Sequence, residues 1–181
     1  MTGQVTLRPV TEDDLPFLAR LRNDPAAAGE YGWFGWKDPQ RGRRRWAESG
    51  LLSETGGTLI VLLDNERAGS VSWREVPAGP IASCWNIGIT LVPESRGRGC
   101  GSAAQRLLAR YLFTHTLAHR VEASTETTNI AEQRALEKAG FTREGVLRGA
   151  MFRQGQWRDL VVYGVLRDEV RLDDTAPEAG G

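Results

Sequence analysis

The chain has 181 residues, with 23 lysines and arginines balanced by 23 aspartates and glutamates, 40% hydrophobic residues and 8% aromatic ones. That length suits one domain with one core, and the apolar fraction excludes a disordered chain. Zero formal charge argues against a protein that grips nucleic acid by neutralising phosphates. Cys84 and Cys100 have neither CxxC spacing nor flanking histidines, so no metal site and no redox pair are expected. The first ten residues lack a signal-peptide pattern, and no apolar run approaches the ~18 residues of a membrane span. A cytoplasmic protein without membrane partners is expected.

In chain order, residues 5–8 alternate like a strand, and Thr11 followed by Glu12, Asp13 and Asp14 opens a helix that Asn23-Asp24-Pro25 stops. Residues 29–38 form an irregular stretch carrying Tyr31, Trp33, Phe34 and Trp36, read either as packing under a lid or as a wall of a substrate cleft. Residues 40–49 read as a short helix with an arginine cluster at 41–45. Strands over 58–63 and 68–75 flank Asp64-Asn-Glu-Arg67, which suggests a hairpin with a four-residue turn. A long strand over 83–92 then meets a glycine-rich break, and Ala104, Leu107, Leu108, Tyr111 and Leu112 recur at helical spacing beyond it. A strand over 120–125 precedes a helix over 129–139 that Gly140 closes. Strands over 142–148 and 158–166 around Gln154-Gly155 make a C-terminal hairpin. The domain is expected to span 1–171, with 172–181 a disordered tail.

Between strand and helix lies Arg96-Gly97-Arg98-Gly99-Cys100-Gly101-Ser102. Glycines there let backbone N–H groups converge at the positive end of a helix dipole, which suits a pyrophosphate. The lysine of a P-loop is missing. A dinucleotide fingerprint remains an alternative, because Gly99-Cys-Gly101-Ser-Ala-Ala104 matches Gly-x-Gly-x-x-Ala with Glu122 on the next strand, which would make the protein an oxidoreductase. Six residues between strand and first glycine, and hairpins in place of βαβ repeats, weigh against it.

More of the chain resembles the GNAT acetyltransferases. Arg96-x-x-Gly99-x-Gly101 matches their coenzyme A loop, Ile89-Thr-Leu-Val-Pro-Glu-Ser-Arg96 is similar to the strand and turn before it, and Asn129 through Gly140-Phe141 is similar to their Asn-x-x-Ser/Ala…Lys-x-Gly-Phe helix. Leu7-Arg-Pro-Val-Thr-Glu-Asp-Asp14 and the closing strand with Asp159 further resemble the RimJ/RimL-type branch, which acts on ribosomal-protein N-termini. The resemblance covers about residues 5–167 and implies a mixed α/β fold. Its sheet would have seven mostly antiparallel strands, with the parallel neighbours over 83–92 and 120–125 splayed apart and helices on the flanks.

The resemblance implies acetyl-CoA as co-substrate and direct acetyl transfer to a primary amine, on a peptide N-terminus or a small molecule, without nucleic acid. Ile89, Thr90 and Leu91 would pair with the pantetheine arm. Arg96, Gly97, Arg98, Gly99, Cys100, Gly101 and Ser102 would hold the pyrophosphate, and Asn129 would reach the pantetheine or cap its helix. Glu122 is the nearest match to a strand glutamate that assists deprotonation in related enzymes. Glu132 stands where RimJ/RimL-type enzymes often carry a serine, and Leu136 where other relatives carry a tyrosine. Glu122, Glu132 and Tyr163 are therefore the expected proton carriers. Trp33, Trp36 and Asp159 are the expected acceptor contacts. A non-catalytic acetyl-CoA sensor remains a second reading, and the assembly is expected to be a monomer or homodimer.

Overall fold

The computed structural model describes residues 3–171; the tail expected over 172–181 lies outside them. One sheet organises the chain. Its strands are β1 (Val5–Pro9), β2 (Leu52–Ser53), β3 (Gly56–Leu63), β4 (Glu66–Pro77), β5 (Ser83–Leu91), β6 (Arg120–Glu126), β7 (Thr142–Arg153) and β8 (Gln156–Leu166). They lie in the order β1-β3-β4-β5-β6-β8-β7, with β2 paired to β3. The eighth strand, beyond the seven expected, is a two-residue return in which Leu52 and Ser53 face Gly57 and Gly56. Every pairing is antiparallel except that of β5 with β6.

Alternation sorts the two faces. Odd-numbered residues of β3, β4 and β5, among them Val61, Val71 and Ile87, join Leu108, Leu112 and Phe113 of α4 (Cys100–His115) and Leu136 of α5 (Ile130–Ala139) in the main core. On the other face Ile60 packs with Val10, Leu15 and Leu51 beneath α1 (Leu15–Asn23) and α3 (Arg41–Ser49). Toward β5 and β6 this second face is polar and carries Ser72, Arg74, Asn86 and Thr90.

Two local expectations are corrected. The β3–β4 turn has two residues, Asp64 and Asn65, both left-handed (φ 52° and 66°). Such a turn matches the twist of paired strands, and short polar side chains tolerate it. The first helix begins as a tight turn over Glu12–Asp14 before α1, and one further turn, α2 (Pro25–Ala28), follows Asp24, whose Oδ1 accepts from the Ala26 amide at 2.9 Å.

Asp14 explains that tight turn. Fully buried, it accepts from Arg8 at 2.6 and 2.9 Å, from the Thr11 amide and hydroxyl at 2.9 Å each, and pairs with Arg67 at 2.9 Å. The Arg8 hydrogen bonds hold its carboxyl well below the usual range, against the opposing effect of burial. A carboxylate with a depressed folded pKa stabilises the fold above its unfolded pKa and loses that contribution as pH falls below it. Asp14→Asn is expected to cost about 2–3 kcal/mol at pH 7 by leaving two arginines without their shared anion. Urea unfolding checks this, and the difference from wild type shrinks toward pH 3.

Candidate functional site: the cleft between two parted strands

β5 and β6 pair only through Trp85↔Val121 and Asn86↔Glu122. Beyond that vertex β5 stays paired with β4, and β6 with β8, so a cleft opens between two otherwise secured strands. Because the pair is parallel, both carboxyl ends lie on the same side, and each strand runs on toward a helix, α4 after β5 and α5 after β6. Both positive helix ends therefore face the mouth of the cleft. Ile89, Thr90 and Leu91 form its β5 edge, with Ile89 and Leu91 partly buried against the core.

The glycine loop closes one end. Gly97 and Gly99 are left-handed (φ 70° and 78°), a conformation that glycine adopts without strain. Gly99 precedes α4, whose first helical bond is donated by the Ala103 amide to the Gly99 carbonyl at 3.2 Å. The amides of Cys100, Gly101 and Ser102 lie ahead of that bond and have no helical acceptor. A Cβ at Gly97 or Gly99 would meet nothing within 4 Å, so the cradle is open to an anion. Arg98 lies exposed beside it.

Arg96 has another task. Its Nε and NH2 donate to the Leu91 carbonyl at 3.0 and 2.8 Å, and NH2 also reaches the Ala27 carbonyl at 2.8 Å. The guanidinium thus ties α2 to the end of β5 and braces the loop, and the Leu91 carbonyl is already taken. Cys84 and Cys100 are buried, and burial pushes both thiols up, so neither is a ready nucleophile.

Asn129 caps α5, accepting from the Glu132 amide at 3.3 Å, and its Nδ2 donates to the Thr125 hydroxyl at 2.9 Å. Glu132 occupies the first turn of α5 and shares Gln105 with the α4 side, where the buried Gln105 amide donates to the Gly101 carbonyl at 3.2 Å. Burial pushes the Glu132 carboxyl up to about 7, with the Gln105 hydrogen bond opposing. A helix N-terminus favours a charged carboxylate, so desolvation outweighs the dipole here.

Glu122 sits at the vertex on the polar face. It accepts from Asn86 Nδ2 at 3.4 Å and lies 3.6 Å from Arg120, whose guanidinium also grips Glu144 at 2.6 and 2.5 Å. Tyr163 is brought to neither group: it is fully buried on the opposite face, and its hydroxyl donates to Glu137 at 3.0 Å. Burial and Glu137 push that phenol up, and the expectation of an acid at this position gives way to a core tyrosine with a satisfied hydroxyl. Leu136 likewise points into the core.

The aromatic loop borders the cleft from the other side. A buried pair of Arg153 and Glu126 anchors it, with NH2 to Oε2 at 2.9 Å and Arg153 NH1 donating to the Glu30 carbonyl at 2.7 Å. The Tyr31 hydroxyl donates to the Thr128 carbonyl at 3.1 Å, directly before Asn129. Trp33 is half-buried and meets Trp36 edge-on at 5.9 Å, while Trp36 is 81% exposed. Asp159 is exposed and accepts from the Gly149 amide at 2.8 Å, bridging the irregular stretch of β7. The Arg153–Glu126 anchor and the Gln105 link join residues far apart in the chain, and no local pattern signals them.

Among the described residues there is no group of three or more potential metal ligands, and no helix long and apolar enough to cross a membrane. The sequence model of the acetyltransferase (GNAT) domain matches residues 4–142, and the chain belongs to that family. It is similar to the probable N-acetyltransferase YjcK of Bacillus subtilis, 33% identical over 111 residues that make up 61% of each chain. It is also similar to the spermidine N(1)-acetyltransferase of Escherichia coli strain K12, 24% identical over 96% of this chain and 91% of that one. The chain spans 61% of YjcK and 50% of a second B. subtilis relative, YnaD. RimJ of Mycobacterium smegmatis, solved in complex with CoA-disulfide, shares the fold at a TM-score of 0.75 and 26% identity, over 93% of this chain and 85% of that one.

Proposed function

We propose that the protein is an acetyl-CoA-dependent N-acetyltransferase that passes acetyl directly to the primary amine of a peptide N-terminus. The observation that carries the acetyl-CoA part of this reading is the cleft itself, where two parallel strands part after two residue pairs beside an open glycine cradle. Acetyl-CoA supplies an activated acetyl thioester. The amides of Gly97 to Ser102 would hold its pyrophosphate, and the β5 edge at Ile89 and Thr90 would hydrogen-bond its pantetheine amides.

The chain's own groups then handle charge and protons. A backbone N–H of the β5 edge near Thr90 stabilises negative charge that develops on the acyl oxygen. Glu122, at the vertex on the polar face, takes the amine proton through a water. Glu132, half protonated near pH 7, returns a proton to the departing thiolate. The N–C bond forms as the C–S bond breaks, and no covalent enzyme intermediate is needed.

Free-thiol release from acetyl-CoA tests the proposal across N-terminal peptides, spermidine and amino-bearing small molecules. Turnover with peptides is the expected result. Acetyl-CoA binding without turnover of any amine favours the sensor reading, and the absence of binding overturns the proposal.

A further inference from the structure

The arginines around α1 and α3 are not all paired. Arg43 meets Glu12 at 2.8 Å and Arg44 meets Asp38, but Arg22, Arg41 and Arg45 have no carboxylate within ion-pair distance among the described residues. Arg22 and Arg45, together with the ion-paired Arg43 and Asp38, line a cavity of about 190 Å³ between the two helices, floored by Leu15, Leu18, Leu51 and Thr58, and Arg41 lies outside this lining. The Arg22 guanidinium is crowded by protein yet still reached by solvent, and both that crowding and the neighbouring Arg45 and Arg41 disfavour its charge. Two like charges at one concavity, with Arg41 close enough to act on Arg22, leave a site that an incoming anion would relieve.

The sheet places this cavity relative to the cleft. Thr58 pairs with Ser72, and Ser72 pairs with Gly88, which lies two residues past the vertex residue Asn86. At about 4.8 Å per strand, Thr58 is roughly 10 Å from Gly88 along a row on the acceptor face. Ser72 and Gly88 are exposed, so the track between cavity and cleft is open. An extended peptide advances about 3.3–3.6 Å per residue. With its α-amine at the cleft, its third to fifth residues would lie over the arginines.

We propose that Arg22 and Arg45, supported by the charge of the nearby Arg41, form an acceptor subsite for an acidic side chain at the third to fifth position of a peptide whose N-terminus is acetylated. The proposal rests on the peptide-acceptor reading above and gives it a specificity. Paired forks of guanidinium suit a carboxylate, and the same charges repel a polyamine.

The test uses hexapeptides with Glu, Gln or Lys at positions three to five, read in two ways. One reading is kcat/KM for acetylation, and the other is equilibrium binding of the fluorescently labelled peptides in the presence of coenzyme A. In the wild type, Glu peptides are expected to exceed Gln peptides roughly tenfold in both, and Lys peptides are expected to fall below Gln. In the double variant Arg22→Gln/Arg45→Gln, whose side chains are exposed, the Glu-to-Gln ratio falls close to one. A wild-type ratio near one, or an unchanged ratio in the variant, overturns the subsite. Selective binding of Glu peptides without acetylation upholds the subsite and overturns the transferase reading, whereas acetylation of all peptides alike does the reverse.

Discussion

Gly101→Glu is expected to weaken acetyl-CoA binding about a thousandfold, a loss of about 4 kcal/mol. In the proposed site, attraction for a pyrophosphate would come from the amides at the start of α4 that have no helical acceptor and from two helix ends pointing into one cleft. A carboxylate at Gly101 would compete for those amides and add a negative charge where the ligand brings its own. Gly101→Ala separates ligand loss from misfolding. A Cβ there would meet Ala135, Leu91 and Gln105 at 3.7, 3.7 and 3.9 Å, ordinary contact distances, and the position is helical. That variant is expected to fold at least as stably as wild type, since alanine exceeds glycine in helix propensity by about 0.5–1 kcal/mol. Calorimetric titration with acetyl-CoA measures both variants. Affinity within twofold of wild type for Gly101→Glu would contradict the placement of the pyrophosphate.

Glu132→Gln is expected to lower kcat about a hundredfold, the usual scale for removing a positioned general acid. The wild-type carboxyl, pushed up to about 7 by burial, donates a proton only below that pH. Its activity should therefore fall on the alkaline side as the acid is lost and on the acid side as the amine is protonated, and the variant should lack the alkaline fall. Stability gives an independent readout. A glutamate whose folded pKa exceeds its unfolded 4.5 holds a proton in the native state that the unfolded chain has released, so stability drops as pH rises from about 4.5 to about 7. Glutamine carries no such charge. Glu132→Gln should thus be more stable than wild type at pH 8 and lose that advantage toward pH 4, as read by thermal unfolding. A variant with normal kcat and an unchanged pH profile would return Glu132 to the role of a helix-end residue.

The fold and the candidate site are legible in the sequence where the signal is local. Gly99 and Gly101 between an apolar strand and an amphipathic run place an anion cradle, and Asn129 and Gly140 bracket α5 through capping chemistry that lies within a few residues. Polarity places Glu66 and Arg67 in the β3–β4 turn, although both lie in a strand. Periodicity assigns a residue to a face and leaves its partner open. Tyr163 is on the buried face, and only the fold shows that Glu137, 26 positions away in sequence, takes its hydroxyl proton as a hydrogen bond. Arg96 looked like a phosphate ligand beside glycines, yet its guanidinium spans 69 positions to Ala27 and locks α2 onto β5. The arginine cluster over 41–45 was visible as charge, and its meaning depends on Arg22 arriving from another helix.

Two buried thiols and an open cleft between β5 and β6 support the proposed direct transfer. Initial rates measured with acetyl-CoA and a peptide acceptor varied together test it most directly. Double-reciprocal lines that intersect are predicted, because both substrates must occupy the cleft before acetyl moves. Parallel lines, together with release of coenzyme A in the absence of acceptor and an acetylated enzyme in the mass spectrum, would contradict the account.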